Sequence, residues 1–461
     1  MKKTLILSLA LLLNACVVGR DYETPDVAIP NQWSEKTISK KTVTEKWWEI
    51  FHDETLNQLI SQAITANLNL KQALSRVKEA RILRSETIAT GLPSLDAKGF
   101  ASRRFNNSAA GAGGAGIGTQ AINIFQLGFD AAWELDFFGG IQRAIEAADA
   151  SIDVEIENSQ DVLLSLQSEI AREYLTLRAN QQLLVTTHNA LLFAQAETLK
   201  LLQIREKSGF NTGLDVAQAQ AQYDNTAANL PRYQIEIEKS IHALSVLLAS
   251  EPTILEKRLV ITAPIPKAIF SLTNLPSELL KRRPDIRKAE RQLALANAYV
   301  GIATAELYPK VNLAAFIGLQ NLKITDFTPM GKSWSSAATL TMPLFNWGKL
   351  NANIDAKDAQ YEQALLNYQQ TILTAFQEVE NGLTTYRNEQ IRNQSLIKAI
   401  NSNQTALNLA KERYEKGLTG FLEVLQAQQT LYQTQIEQIN SSATLSAQIV
   451  ALSKALGVQI Q

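Results

Sequence analysis

From Phe125 to Phe137 apolar side chains occupy every second position: Phe125, Leu127, Phe129, Ala131, Trp133, Leu135 and Phe137. Gln126, Asp130, Glu134 and Asp136 fill gaps between them. A period of two puts the first set on one face of an extended strand. The alternation returns at Val311, Leu313, Ala315, Ile317 and Leu319 against Lys310, Asn312 and Gln320. It returns again at Trp334, Leu340, Met342 and Leu344 against Ser333, Ser335, Thr339 and Thr341. A weaker strand sets Leu95, Ala97 and Ala101 against Asp96, Lys98 and Ser102, with Phe100 out of phase. Strands are therefore expected over about 94–108, 123–137, 310–322 and 333–345, the first two joined by a glycine-rich tip at Ala109–Thr119. Each is long enough to cross a bilayer at a tilt, and apolar-out, polar-in alternation suits the wall of a water-filled barrel. A soluble, half-buried sheet alternates in the same way, so the pattern alone leaves both open.

Beyond the strands the pattern changes. No proline or glycine stands between Ile141 and Ser208, and Gly382 alone interrupts Lys349 to Lys416. These stretches of helix formers predict two rods, about 140–208 and 348–416, each roughly 100 Å long at about 1.5 Å per residue. Apolar seams on such rods suit a coiled coil or a solid bundle. Both rods end in nearly the same residues. Arg205, Gly209 and Leu214-Asp215-Val216 return as Arg413, Gly417 and Leu422-Glu423-Val424, an offset of 208. Gly209 and Gly417 are expected as helix C-caps. Asp215 and Glu423 fall in the first turn of the next helix, where the macrodipole favours an acid whatever its function. The rods also begin alike, Leu135–Ala150 matching Leu344–Ala359 at an offset of 209, and the segments around Pro93 and Pro309 match at 216.

The chain is thus an internal duplication of a β-β-α unit. Its expected divisions are 56–249 for the first repeat, 250–274 for a proline-rich linker and 275–461 for the second repeat. Pro231 should kink the helix after the first turn or mark a junction between two helices. If the sheet lies in lipid, four strands cannot close and open edges in hydrocarbon are not viable, so the chain must oligomerise. A dimer gives eight strands filled by side chains, whereas a trimer gives twelve and leaves a lumen.

The first residues add an address. Lys2 and Lys3 precede the apolar run Leu5–Leu13 and then Asn14-Ala15-Cys16. This reads as a signal peptide over 1–15, with Cys16 as a lipidated first residue of a 16–55 segment. Cys16 is the sole cysteine, so no intrachain disulfide is possible. With 44 basic and 45 acidic residues the chain carries no footprint for nucleic acid. His52, His188 and His242 stand at no ligand spacing, and no nucleophile or phosphate-loop motif accompanies them. Neither a metal site, a cofactor nor an enzyme is expected, and the three methionines form no ladder for soft metals.

Four segments carry a resemblance: "VGRDYETPDVAIP" after Cys16, "WWEIFHDETLNQLI" (Trp47–Ile60), "RRPDIRKAERQLALANA" (Arg282–Ala298) and "PLFNWG" (Pro343–Gly348). With the duplicated unit they resemble the TolC-type outer-membrane efflux factors, in the lipoprotein branch that includes OprM, CusC and the NodT-like proteins. The resemblance implies a homotrimer, mainly α, with a twelve-stranded outer-membrane β-barrel continuing into a periplasmic α-helical barrel. It implies a passive exit duct for drugs or other small toxic compounds, working with a periplasmic adaptor and an inner-membrane transporter of the RND type. It also implies diacylglycerol and acyl chains on Cys16, embedded in outer-membrane lipid. Gly209, Phe210, Gly213, Leu214, Gly417, Leu418, Gly420 and Phe421 then fall at tips that meet the adaptor. Tyr414 falls on a tyrosine that locks the closed state and Asp215 on its aspartate partner. Glu423 takes the place of the first acid of the constriction, Gln426 that of a second acid, and Thr419 that of a gate arginine. Two other roles remain open on sequence: the outer duct of a type I protein secretion system, and a structural coiled-coil lipoprotein of the periplasm.

Overall fold

The structure, a computed structural model, describes residues 17–28, 30, 32–33, 46–105, 121–268, 282–326 and 331–457. The expected signal peptide, Cys16 and the Ala109–Thr119 tip lie outside the described residues. The chain divides into two compact units.

One unit holds a four-stranded sheet in the order β1 (Ser94–Phe105), β2 (Ala121–Leu135), β3 (Lys310–Asn321), β4 (Lys332–Thr341), every pair antiparallel. Its register carries the alternation across all four strands. Ala97, Phe129, Ile317 and Trp334 lie side by side on one face, with the last three side chains exposed. The opposite face sets Phe100, Gln126 and Gln320 in a row, which is why Phe100 breaks phase in the sequence. Lys98 and Asp130 form an ion pair at 3.5 Å. Phe316 lies across Gly128 and Gly318 and is buried there. A Cβ on Gly318 would stand 2.4 Å from the Leu127 carbonyl oxygen and 2.6 Å from the Gly128 Cα. Backbone cannot yield as a side-chain end can, so Gly318→Ala should destabilise the sheet by about 1–3 kcal/mol. A lower midpoint of heat unfolding of the purified protein checks this. The fourth strand stops at Thr341, short of the expected 345, because β3 begins at Lys310, opposite Thr341, and offers no partner beyond it.

An N-terminal strap, Val17 to Asp26, belongs to this unit. Arg143 is buried and donates to the Val18 and Gly19 carbonyls, to Asp21 and to Glu146 at 2.7–3.1 Å. Arg20 donates to Asn297 at 2.8 Å and stacks over the Tyr361 ring at 3.8 Å. The Tyr22 hydroxyl donates to Glu290 at 2.7 Å. The unit also contains parts of α2 (Leu68–Thr90), α3 (Gly140–Val185), α8 (Pro284–Ala305) and α9 (Lys349–Glu415).

In the other unit Trp47, Trp48 and Phe51 are buried together with Leu56, Leu59 and Ile60 of α1 (Glu54–Ala66). Asp53 caps α1 by accepting from the Leu56 amide, and the buried Tyr174 hydroxyl donates to its other oxygen at 2.8 Å. Burial, helped by the hydrogen bond to Asp53, pushes the Tyr174 phenol up to about 12. A raised folded value favours the neutral phenol, so its stabilisation is complete below pH 10 and is lost as pH climbs from 10 to 12. The loss should reach about 2–3 kcal/mol, and melting curves across this range should fall less steeply for Tyr174→Phe than for the native protein.

The expected first rod is not one unbroken α-helix. A π-helical turn at Thr186–Leu192 separates α3 from α4 (Phe193–Lys207) and buries Thr187, whose hydroxyl lies 3.3 Å from that of Tyr432. The second rod, α9, runs 67 residues without a break. Gly382 is accommodated because a Cβ there would lie 2.7 Å from the Leu452 side chain. Pro231 marks a junction: α5 (Gly213–Ala227) and α6 (Asn229–Leu247) meet at Ala228, and Pro231 sits in the first turn of α6, where a missing N–H costs nothing. After α7 (Pro252–Leu259), the linker is pinned by Arg178 to the Ile261 carbonyl, Gln181 to the Leu259 carbonyl and Ser446 to the Pro266 carbonyl. Ser446 lies on the last described helix, α10 (Phe421–Ala455).

Candidate functional site

Both rods reverse through the same backbone device. At the first turn Gly209 takes φ +77° as the Gly209 and Phe210 amides donate back to Glu206 and Arg205. At the second, Gly417 takes φ +69° and the Gly417 and Leu418 amides donate to Tyr414 and Arg413. These are paired Schellman closures, and glycine is required because its φ is positive.

The restarts differ. Thr212 and Asp215 form a complete capping box, with the Asp215 carboxylate accepting from the Thr212 amide at 3.1 Å and hydroxyl at 3.0 Å. Gly420 stands in the equivalent place before α10 and has no side chain with which to cap. Glu423 is therefore left exposed, without a capping role.

An apolar cluster joins the two hairpins: Leu202 and Ala219 from the first, with Leu407, Phe421, Val424 and Leu431 from the second. Phe421 is only 3% exposed and meets Tyr414 edge to face at 5.6 Å. This corrects its expected place at a contact surface, since helix spacing turns Phe421, Val424, Gln428 and Leu431 onto the buried face of α10. Glu423 and Gln426, three residues apart, occupy the opposite, exposed face. Phe210, Leu214 and Leu418 are exposed, at 76%, 65% and 66%. Gly209, Gly213, Gly417 and Gly420 lie on the same exposed turns. Thr419 is half-buried, and its hydroxyl has no partner.

The expected Tyr414–Asp215 pair is not formed within the chain. Asp215 serves its own helix, and the Tyr414 hydroxyl accepts instead from the Asn211 amide nitrogen at 2.7 Å. The Asn211 oxygen accepts from Arg205 Nε at 3.0 Å, and the Arg205 guanidinium lies 5.1 Å from the Tyr414 ring centre. Arg205, Asn211 and Tyr414 thus latch one hairpin to the other. Sequence reading passed over Asn211. Its one signal was its place opposite Thr419 in the repeat, where both copies keep a small polar residue.

Among the described residues no cluster of three or more His, Cys, Asp or Glu is placed to hold a metal ion. Among them also, no helix is long and apolar enough to cross a membrane.

The family model "Outer membrane efflux protein" matches residues 59–250 and 275–458. The chain is 32% identical over 475 residues to the solvent efflux pump outer membrane protein SrpC of Pseudomonas putida, covering 99% of this chain and 98% of that one. It is 31% identical over 450 residues to nodulation protein T of Rhizobium leguminosarum bv. viciae, covering 97% and 90%. Among solved structures it matches the outer-membrane channel OprN with a TM-score of 0.88 at 31% identity, over 96% of this chain and 99% of that one. CusC matches with a TM-score of 0.83 at 25% identity, over 96% and 100%.

Proposed function

Since the chain belongs to the outer membrane efflux protein family and is an efflux channel of the outer membrane, we propose that it works as the trimeric exit duct of a tripartite pump. The observation that carries this reading is a sheet with one exposed apolar face and two edges, β1 and β4, that find no further strand among the described residues. Such edges are not viable in hydrocarbon, and three copies close a twelve-stranded wall around a lumen. Drugs or other small toxic compounds pass through it without chemistry. A periplasmic adaptor docks on the helical tips, and an inner-membrane transporter of the RND type supplies the energy.

The tips suit a gate. Exposed Phe210, Leu214 and Leu418 offer apolar contact to an adaptor. Glu423 from three copies would set a carboxylate ring that raises local cation concentration, with Gln426 adding no charge. The latch of Arg205, Asn211 and Tyr414 takes the part assigned on sequence to Tyr414 and Asp215.

Cys16 carries the lipid in this reading. Val17, the next residue, packs against Gly139 at the β2–α3 junction, where Gly139 takes φ +76°. The strap would thus deliver an acyl chain to the bilayer that holds the sheet. Cys16→Ser should abolish metabolic labelling with palmitate, while the protein still fractionates as an integral outer-membrane protein.

Dye efflux tests the duct. In cells stripped of their own outer-membrane ducts but keeping an adaptor and transporter, the chain should lower dye accumulation in an energy-dependent way. Unchanged accumulation across a set of such pumps, with the chain present in the outer membrane, would contradict the reading.

A further inference from the structure

Charge is sorted along the sheet. The helices α3 and α9 leave it at one end, after β2 and β4, and the β1–β2 and β3–β4 connections lie at the other. The stretches nearest those connections, 100–126 and 318–334, hold Arg103, Arg104, Lys323 and Lys332 against Asp326 alone, a net charge of +3. The stretches nearest the helices, 94–99, 127–137, 309–317 and 335–345, hold Asp96, Asp130, Glu134 and Asp136 against Lys98 and Lys310, a net charge of −2.

Strand alternation decides what these cations meet. Arg103 is an even step from Ala97 on β1, and Lys332 is an even step from Trp334 on β4, so both belong to the exposed apolar face. Lys323 follows the end of β3 by two residues, whereas Arg104 falls on the opposite face with Phe100. Arg103, Lys323 and Lys332 are exposed. Among the described residues none of the three meets a carboxylate, while Lys98, toward the helix end, pairs with Asp130 at 3.5 Å. The apolar face itself changes character at this level. Lys332 stands opposite Leu319, and the next positions outward set Asn321 opposite Phe125 and Asn123 opposite Arg103. From Val311 to Leu319 the apolar run on β3 covers about 27 Å along the strand, or about 20 Å along the membrane normal at a tilt of about 40°. The cations therefore stand where an apolar band of about 25 Å gives way to lipid headgroups.

Resting on the duct reading above, which puts this face in lipid, we propose that Arg103, Lys323 and Lys332 bind phosphate groups of the outer-leaflet lipid, the phosphorylated glycolipid lipopolysaccharide. Guanidinium and ammonium groups hold phosphate through charge-assisted hydrogen bonds. Their alkyl stems run back along the apolar face below them. Trp334, two residues inward from Lys332 and 77% exposed, adds an amphipathic ring suited to the same interface. The occupant is a lipid and not a free anion because Arg103 and Lys332 continue the apolar face outward. An anion held without its acyl chains would gain nothing from that continuity.

Lipid titrations of the full-length protein in neutral detergent, read by native mass spectrometry, test this. The probes are lipid A (the membrane-embedded part of lipopolysaccharide), lipid A stripped of its phosphates, and inorganic pyrophosphate. Each cation near an anionic lipid surface is worth about fivefold in affinity, so Arg103→Gln/Lys323→Gln/Lys332→Gln should weaken lipid A binding on the order of a hundredfold. The single variant Arg103→Gln should lose about fivefold and Arg104→Gln, on the other face, nothing. The stripped lipid should bind native and triple-variant protein alike. Equal affinity of the native protein for the two lipids would overturn the site. A loss in Arg104→Gln equal to that in Arg103→Gln would overturn it too, since the cations would then act regardless of face. Displacement of lipid A by an equal concentration of pyrophosphate would overturn the lipid as occupant. Each of these leaves the duct reading intact. A protein that binds neither lipid and stays soluble without detergent would sink both.

Discussion

Phe129→Arg should prevent stable insertion of the sheet, while Gln126→Arg should leave it nearly unaffected. The two positions lie three residues apart on β2, on opposite faces. Phe129 stands mid-sheet between Ala97 and Ile317 on the exposed apolar face, whereas Gln126 lies in the polar row with Phe100 and Gln320. An arginine on the lipid face near the bilayer midplane costs about 2–4 kcal/mol, and a trimer carries the substitution three times. A lumen-facing arginine keeps its water. The yield of heat-resistant oligomer from outer membranes reads the difference, and equal yields would mean that the apolar face does not meet lipid.

Phe421→Ala should loosen the paired tips most strongly. Removing a buried phenylalanine costs about 3–5 kcal/mol, and here it also removes the edge contact to Tyr414 and the centre of the apolar cluster. Asn211→Ala removes only the hydrogen bonds of the latch, worth about 1 kcal/mol. Phe210→Ala, at an exposed ring, should leave the tips as they are. Hydrogen exchange over 205–220 and 413–428 should therefore accelerate most in Phe421→Ala, less in Asn211→Ala and not at all in Phe210→Ala. On the gate reading proposed above, conductance in planar bilayers should likewise rise most in Phe421→Ala, less in Asn211→Ala and not in Phe210→Ala.

The reasons for this order were only partly legible in the sequence. A period of two announced the strands, and the duplication announced that the turns would be built alike. The capping box was also readable, since threonine followed three residues later by an acid is its signature and Gly420 in the second copy precludes it. Phe210 and Phe421 look equivalent as apolar residues beside a glycine, yet one is exposed and the other buried. Phe421 heads the apolar stripe of Val424 and Leu431 on α10, whereas the partners that cover it, Leu202 and Ala219, lie on another hairpin some 200 residues away. The Asn211–Tyr414 bond spans 203 residues and was hidden for the same reason. The π turn was missed because Thr186 and Thr187 carry no glycine or proline to mark it. The turn buries Thr187 beside Tyr432, again a distant residue.

The most direct test of the duct is the shape and mass of the detergent-purified protein, by single-particle imaging with mass measurement. A particle of three chains with a continuous central lumen through the strand and helix regions is the expected result. A monomer, or a solid rod that excludes stain along its axis, would contradict a channel built by three copies of this chain.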